Sequence, residues 1–149
     1  MKILVTFYSR TGNTRKIGNE IAEKLKADAD EVVDKKPRGG VKGYLFAGRD
    51  AMKKKLAEIE YRKDPAEYDL VIIGIPVWAG MVAPAIRTYL SENSFKNVAF
   101  FCSCGGGQSK TFGEMESLSK RPLRTLEITS KEVTKNSYKE MLKDFCNGI

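Results

Sequence analysis

The feature that most constrains the fold is a strand that leads directly into a hydroxyl-rich turn and then a helix. Residues 3–8 form an apolar run, and a helical pattern after the turn places Ile17, Ile21 and Leu25 on one face. The turn between them consists of Ser9, Arg10, Thr11, Gly12, Asn13 and Thr14. A buried strand, a tight turn and an amphipathic helix in this order are typical of an α/β protein.

The turn is also a candidate anion site. Backbone N–H groups and the positive end of the helix dipole point to one place, and the hydroxyls and the amide add further donors. Gly12 allows a tight turn and a close approach to a ligand. The alternative is a simple helix cap, since Ser, Thr and Asn are common at helix starts. The turn lacks the Lys of a P-loop and the spaced glycines of a dinucleotide fingerprint.

The rest of the chain alternates strands with helices. Strands are predicted at 2–7, 31–33, 70–75, 97–102 and 125–129. Helices are predicted at 13–27, within the less regular segment 35–67, from Pro84 to 90, around 112–118, and after a capping-box spacing of Ser137 and Glu140. The last helix is expected to place Tyr138, Met141, Leu142 and Phe145 on one face. The order predicts a doubly wound, five-stranded parallel sheet with helices on both faces.

Two further loops are predicted to meet the first one at the carboxyl edge of this sheet, where ligands of such folds bind. The second loop is Pro76, Val77, Trp78, Ala79 and Gly80, and the third is Ser103, Cys104, Gly105, Gly106 and Gly107. Trp78 could cap the core or stack on a flat heterocycle. The three glycines could form a flexible turn or leave backbone groups open for recognition.

The motif Ser-x-Thr-Gly-x-Thr after the first strand resembles the FMN-phosphate loop of the flavodoxin family. This resemblance implies the strand order 2-1-3-4-5 and FMN as the cofactor, with the phosphate in the first loop and the flavin ring between the other two. It also implies that Trp78 stacks on the ring and that the peptide at Gly80 can turn toward it. The sequence departs from the family pattern in two ways, because the third loop has no tyrosine and the chain is basic.

Composition excludes several function classes. The 149 residues are expected to form one domain, residues 1–149, and they include no histidine, which removes His-dependent catalysis. Three cysteines without metal-ligand spacing predict no disulfide framework, no metal site and a reducing, cytoplasmic location. No run is long enough to span a membrane. We therefore expect a bound cofactor, and no catalytic side chain, to carry any chemistry.

The net charge of +7 first suggests nucleic acid, but the basic residues are scattered without interleaved aromatics. The densest groups are 35–38 and Lys53, Lys54 and Lys55. They form either a solvated face or a docking surface for an acidic protein or an anionic substrate.

Three functions remain open. The favoured one is a low-potential electron carrier that docks to redox partner proteins, as a monomer or homodimer. The second is an FMN-dependent reductase that passes electrons from a nicotinamide nucleotide to a quinone. The third is a binding module of the same fold without FMN.

Overall fold

The computed structural model describes residues 1–35, 56–77, 80–105 and 110–149. Its strands are β1 (Ile3–Phe7), β2 (Asp28–Glu31), β3 (Val33–Asp34), β4 (Ile59–Glu60), β5 (Leu70–Pro76), β6 (Val98–Cys104) and β7 (Thr125–Thr129). Its helices are α1 (Asn13–Leu25), α2 (Pro84–Glu92), α3 (Thr111–Leu118), α4 (Ser130–Lys135) and α5 (Lys139–Asn147), with a short 3₁₀ turn at Pro65–Glu67.

The main sheet has five parallel strands in the order β2-β1-β5-β6-β7. In chain order this is 2-1-3-4-5, so the predicted fold class and strand order are confirmed. The order reverses between β1 and β5, and both strands end at the same edge as β6. This edge is the switch point at which doubly wound sheets bind ligands.

Helices cover both faces because the three central strands are apolar on both sides. On one face, alternate residues of β1, β5 and β6 pack with residues of α2 and α3, including Ile86, Tyr89 and Met115. On the other face the remaining strand residues pack with α1 and α5, including Ile17, Ile21 and Phe145. Continuous apolar strands of this kind are expected where a parallel sheet is buried on two sides.

The second strand differs from its prediction. We expected it at 31–33 because Val32 and Val33 are apolar, but β2 ends at Glu31 and Val33 is exposed in a small antiparallel pair with β4. Buried Asp30 accepts the N–H groups of Glu31, Arg62 and Lys63 at 3.1, 2.8 and 2.8 Å. A polar edge strand is thus held by backbone hydrogen bonds, which no hydrophobic pattern reveals.

Three further expectations are wrong. β6 extends through Ser103 and Cys104, which we had assigned to the third loop, because these residues pair with β5 and β7. The capping box joins Thr129 and Glu132 and opens the unpredicted helix α4. The helix α5 instead begins after Tyr138 without a side-chain cap, and Met141 on it is exposed.

Several predictions fall on residues outside the described ranges. These are residues 36–55 of the segment 35–67 in which a helix was predicted, with both basic groups except for Lys35, and Trp78, Ala79, Gly106 and Gly107 of the two flavin loops. Among the described helices, none combines the length and apolar character needed to cross a membrane.

Candidate functional site

The ends of the three central strands surround a small cavity of about 150 Å³. The described residues that line it are Arg10, Thr11, Asn13, Pro76, Val77, Ser103, Cys104, Gly105 and Ser130. Eight of these nine belong to the three loops that the sequence predicted to meet, so the sheet topology does bring those loops together. A pocket for a whole cofactor typically measures about 300–1,000 Å³. The cavity that the described residues line is therefore smaller than a pocket for a whole cofactor.

The first loop lines this cavity and leads into a helix start that has no side-chain cap. α1 begins after Gly12, which has a left-handed φ of 102° and supplies no side-chain cap, and the first turn carries no acidic residue. Lys16 is the first residue whose N–H reaches a helical acceptor, the Gly12 carbonyl, at 3.0 Å. The simple helix-cap interpretation thus fails here, and the N–H groups that begin a helix suit an anion.

The side chains of the first loop divide into two sets. Arg10, Thr11 and Asn13 line the cavity, whereas Ser9 and Thr14 make hydrogen bonds within the protein. The Ser9 hydroxyl accepts the N–H of Gly12 at 3.0 Å, which shapes the turn. Thr14 is buried, and its hydroxyl lies 2.9 Å from that of another buried serine at the end of β6.

That serine, Ser103, connects the three loops. Its hydroxyl meets Thr14 of the first loop, and its carbonyl accepts the N–H of Val77 in the second loop at 2.9 Å. The next residue, Cys104, has its carbonyl bonded to the hydroxyl of Ser130 at 3.1 Å. The end of β6 is therefore the part of the site to which the other elements are attached.

A buried ion pair lies behind the second and third loops. The guanidinium of Arg87 on α2 is 2.8 Å from the carboxylate of Glu114 on α3, and both side chains are nearly buried. Arg87 also donates to the carbonyl of Val82 at 3.1 Å, just after the second loop. Gly80, within that loop, is exposed with a φ of 72°, which favours glycine. The ion pair thus holds together the elements that follow the two loops.

Sequence reasoning missed Ser130. It lies at the first position of α4, and the helix itself was not predicted. The available signal was the spacing of Thr129 and Glu132, a capping box that we overlooked in favour of the similar spacing further along the chain.

Two thiols at the end of β6 lie on the face of the sheet that carries α2 and α3. Cys102 is fully buried, and Cys104 is nearly so while also lining the cavity. Burial raises the pKa of the Cys102 thiol, and the neighbouring Cys104 and Glu127 raise this pKa further. Cys102 is therefore a neutral thiol near neutral pH. The three cysteines of the chain all lie in described residues, and none forms a disulfide.

A larger cavity, of about 570 Å³, lies between α1, β2 and residues 62–63. Several of its charged groups already have protein partners. Arg15 forms a two-point ion pair with Glu31 at 3.1 and 2.7 Å, which raises the pKa of the guanidinium, and Asp30 is occupied by backbone N–H groups. Size alone does not make it the better site, because the smaller cavity lies at the start of α1, which has no side-chain cap.

Comparisons with known proteins identify the family of this chain. The flavodoxin family model matches residues 2–148. The chain belongs to the flavodoxin family. A flavoprotein from Lactobacillus acidophilus NCFM, solved in complex with FMN, is 28% identical over 91% of this chain and 98% of its own, with a TM-score of 0.71.

More distant structures share the fold. A putative flavoprotein from Bacteroides eggerthii DSM 20697 is 20% identical over 97% of both chains, with a TM-score of 0.72. The two-electron reduced flavodoxin of Megasphaera elsdenii is 16% identical over 98% of this chain and 96% of its own, with a TM-score of 0.59. The flavodoxin-family fold thus extends over nearly the whole chain.

Proposed function

We propose that this flavodoxin-family chain forms one FMN-binding domain and carries electrons singly between redox proteins. The observation that supports the proposal is the cavity at the switch point, where residues of three strand ends meet the uncapped start of α1. The similar Lactobacillus flavoprotein in complex with FMN suggests the identity of the ligand.

The donor set fits the phosphate of FMN. Thr11 and Asn13 offer side-chain donors and Arg10 offers a cation, and none of the described lining residues is acidic. Hydrogen bonds between backbone N–H groups and a phosphate are charge-assisted and are stronger than neutral ones. The first loop would therefore hold the phosphate, with Ser9 and Thr14 fixing its shape from behind.

The second and third loops would hold the flavin ring. Val77, Cys104 and Gly105 line the cavity on that side, and the left-handed Gly80 allows the local peptide to turn. FMN, when bound, supplies the redox chemistry. The protein binds and orients it and limits the access of water and partners. Trp78, Ala79, Gly106 and Gly107 remain predicted ring contacts.

A reductase is the second candidate, and one observation favours it. The third loop contains no tyrosine, and residues 103–111 include no aromatic residue at all. A flavin face that is not covered by an aromatic side chain would be open to a nicotinamide or a quinone. This reductase would pass two electrons at once, whereas the carrier passes them one at a time.

An anaerobic reductive titration of the FMN-loaded protein separates the two. The carrier is expected to show two one-electron steps with a distinct visible spectrum between them, and no oxidation of nicotinamide nucleotides. A single two-electron step together with nicotinamide oxidation would favour the reductase. A purified protein that is colourless and takes up no FMN would contradict both and support a binding module.

The phosphate assignment has its own test. Thr11→Ala removes a donor from the cavity, and loss of a hydrogen bond to a charged group costs about 1.5–3 kcal/mol. The FMN dissociation constant should therefore rise roughly 10- to 150-fold. The control is Thr125→Ala, since Thr125 is also exposed but lies at the amino end of β7, at the opposite edge of the sheet. Equal dissociation constants in the two variants would contradict the assignment.

The partner class follows from charge. We propose that the partners include acidic proteins, because the chain carries a net charge of +7. Charge reversal at Lys53, Lys54 and Lys55 should slow electron transfer to such partners and weaken its dependence on salt. Unchanged rates with every acidic partner tried would show that these lysines are only solvated.

A further inference from the structure

We propose that Cys102, Cys104 and Glu127 form a binding site for a thiophilic divalent cation, for which Zn²⁺ is the probe. The two sulfur atoms and a carboxylate oxygen all lie within 4.8 Å of one another, and among the described residues they are the group of three that could hold a metal ion. The proposal does not depend on FMN, because the three ligand atoms belong to the protein alone.

The strand pairing explains why these residues meet. Cys102 and Cys104 are two positions apart on β6, so both side chains project from the same face of the sheet. Glu127 on β7 is the register partner of Cys102, and its neighbours Leu126 and Ile128 are buried on the opposite face. A Cys-x-Cys pair alone has no metal-site spacing, which is why the sequence predicted no metal. The third ligand comes from the adjacent strand.

The geometry suits a tetrahedral ion. Zinc bonds of about 2.3 Å to sulfur and about 2.0–2.2 Å to oxygen place neighbouring ligand atoms about 3.5–3.8 Å apart. The Cys104 sulfur lies 3.3 Å from the Glu127 carboxylate, to which its thiol donates a hydrogen bond. These two atoms would need to move apart only slightly to admit the ion. The ion would displace the thiol protons, since a thiol that binds zinc is deprotonated.

Chemistry and access also favour zinc. When deprotonated, the two thiols and the carboxylate carry a total charge of −3, and a bound divalent ion reduces the net charge of the site to −1. Thiolate ligands select soft or borderline metals over magnesium or calcium. Cys102 and Cys104 are buried, whereas Glu127 is partly exposed. The ion would therefore enter from the side of Glu127, and water would be its fourth ligand.

The test is a zinc titration of the reduced, metal-free protein by calorimetry, repeated with Co²⁺ to detect a thiolate charge-transfer absorption. One ion per chain is expected, with three thiols recovered after denaturation. Glu127→Gln keeps the shape of the side chain and should raise the dissociation constant at least tenfold. Cys104→Ser should abolish the charge-transfer band or move it.

Cys146→Ser is the matched control, because Cys146 is also a buried thiol but lies on α5, on the other face of the sheet. It should bind zinc like the unmodified protein. The proposal is overturned if the unmodified protein takes up no zinc, if Glu127→Gln binds equally well, or if Cys146→Ser removes binding. Since Glu127 is partly exposed and its variant should fold, Glu127→Gln decides the matter even if a cysteine variant unfolds.

Discussion

The substitution Gly12→Ala tests whether the backbone of the first loop determines FMN binding. Gly12 has φ 102° and ψ −14°, and a Cβ built on it meets no atom within 4 Å. The cost of an alanine is therefore conformational and not steric. Holding a residue with a side chain in such a region costs about 1–3 kcal/mol.

This cost is divided between the affinity for FMN and the stability of the FMN-free protein. If the turn relaxes in the FMN-free protein, binding must restore it, and the FMN dissociation constant rises by up to about 150-fold. If the turn stays in place, the free energy of unfolding falls by the same 1–3 kcal/mol and the affinity is unchanged. The sum of the two losses should equal the strain. Titration with FMN and urea unfolding of the FMN-free protein measure both.

Gly113→Ala is the control. Gly113 is exposed in α3, its added Cβ also meets no atom within 4 Å, and its φ is not positive. Alanine there should leave FMN affinity unchanged and stabilise the helix by up to about 1 kcal/mol. The reasoning is refuted if Gly12→Ala matches Gly113→Ala in both affinity and stability.

Three further predictions concern stability, all measured by denaturant unfolding. Thr14→Val leaves the buried hydroxyl of Ser103 without this partner and should cost about 1–3 kcal/mol, whereas Thr14→Ser should cost less. Arg87→Met leaves Glu114 nearly buried without its ion-pair partner and should cost about 3–5 kcal/mol, and the added change Glu114→Leu should recover part of this loss. Burial raises the pKa of Tyr68 to about 12, so the folded state keeps a proton that the unfolded state releases near pH 10. The free energy of unfolding should therefore fall as the pH rises from about 10 to about 12. In Tyr68→Phe this fall should be less steep.

Each prediction has an outcome that contradicts it. Equal stabilities of the Thr14 variants would show that the hydroxyl contact contributes nothing. A double variant less stable than Arg87→Met would show that the carboxylate has other favourable partners. An unchanged pH slope in Tyr68→Phe would assign the alkaline loss to other groups.

The central part of the fold could be predicted because its signal is local. β5 is apolar at each position from Leu70 to Ile73 and again at Ile75, and all of these residues are buried. The helices α1 and α2 could also be predicted, from the strong apolar periodicity of α1 and from Pro84 at the start of α2. The edge strand β2 was not, because Asp28 and Asp30 contribute no apolar pattern, and the strand depends on hydrogen bonds to β1 and to residues 62–63.

The candidate site shows the same division. The first loop could be identified from its residue types, since hydroxyls, an amide and a glycine precede a helix in a single stretch. The contribution of Glu127 could not, because it meets Cys104 only through the pairing of β6 with β7. Ser130 was missed although the capping-box spacing of Thr129 and Glu132 marks the helix that it begins. Local patterns thus predict which loops form a site, and the register of the sheet determines which side chains complete it.

The two contacts of Ser103 suggest that the phosphate end and the ring end of the site can be altered separately. Its hydroxyl supports the first loop through Thr14, whereas its backbone carbonyl supports the second loop through Val77. Ser103→Ala removes only the first of these contacts, because the carbonyl remains. We therefore expect weaker FMN binding with little change in the reduction potential of the bound flavin. A shift in potential without a loss of affinity would mean that the hydroxyl acts on the ring and not on the loop.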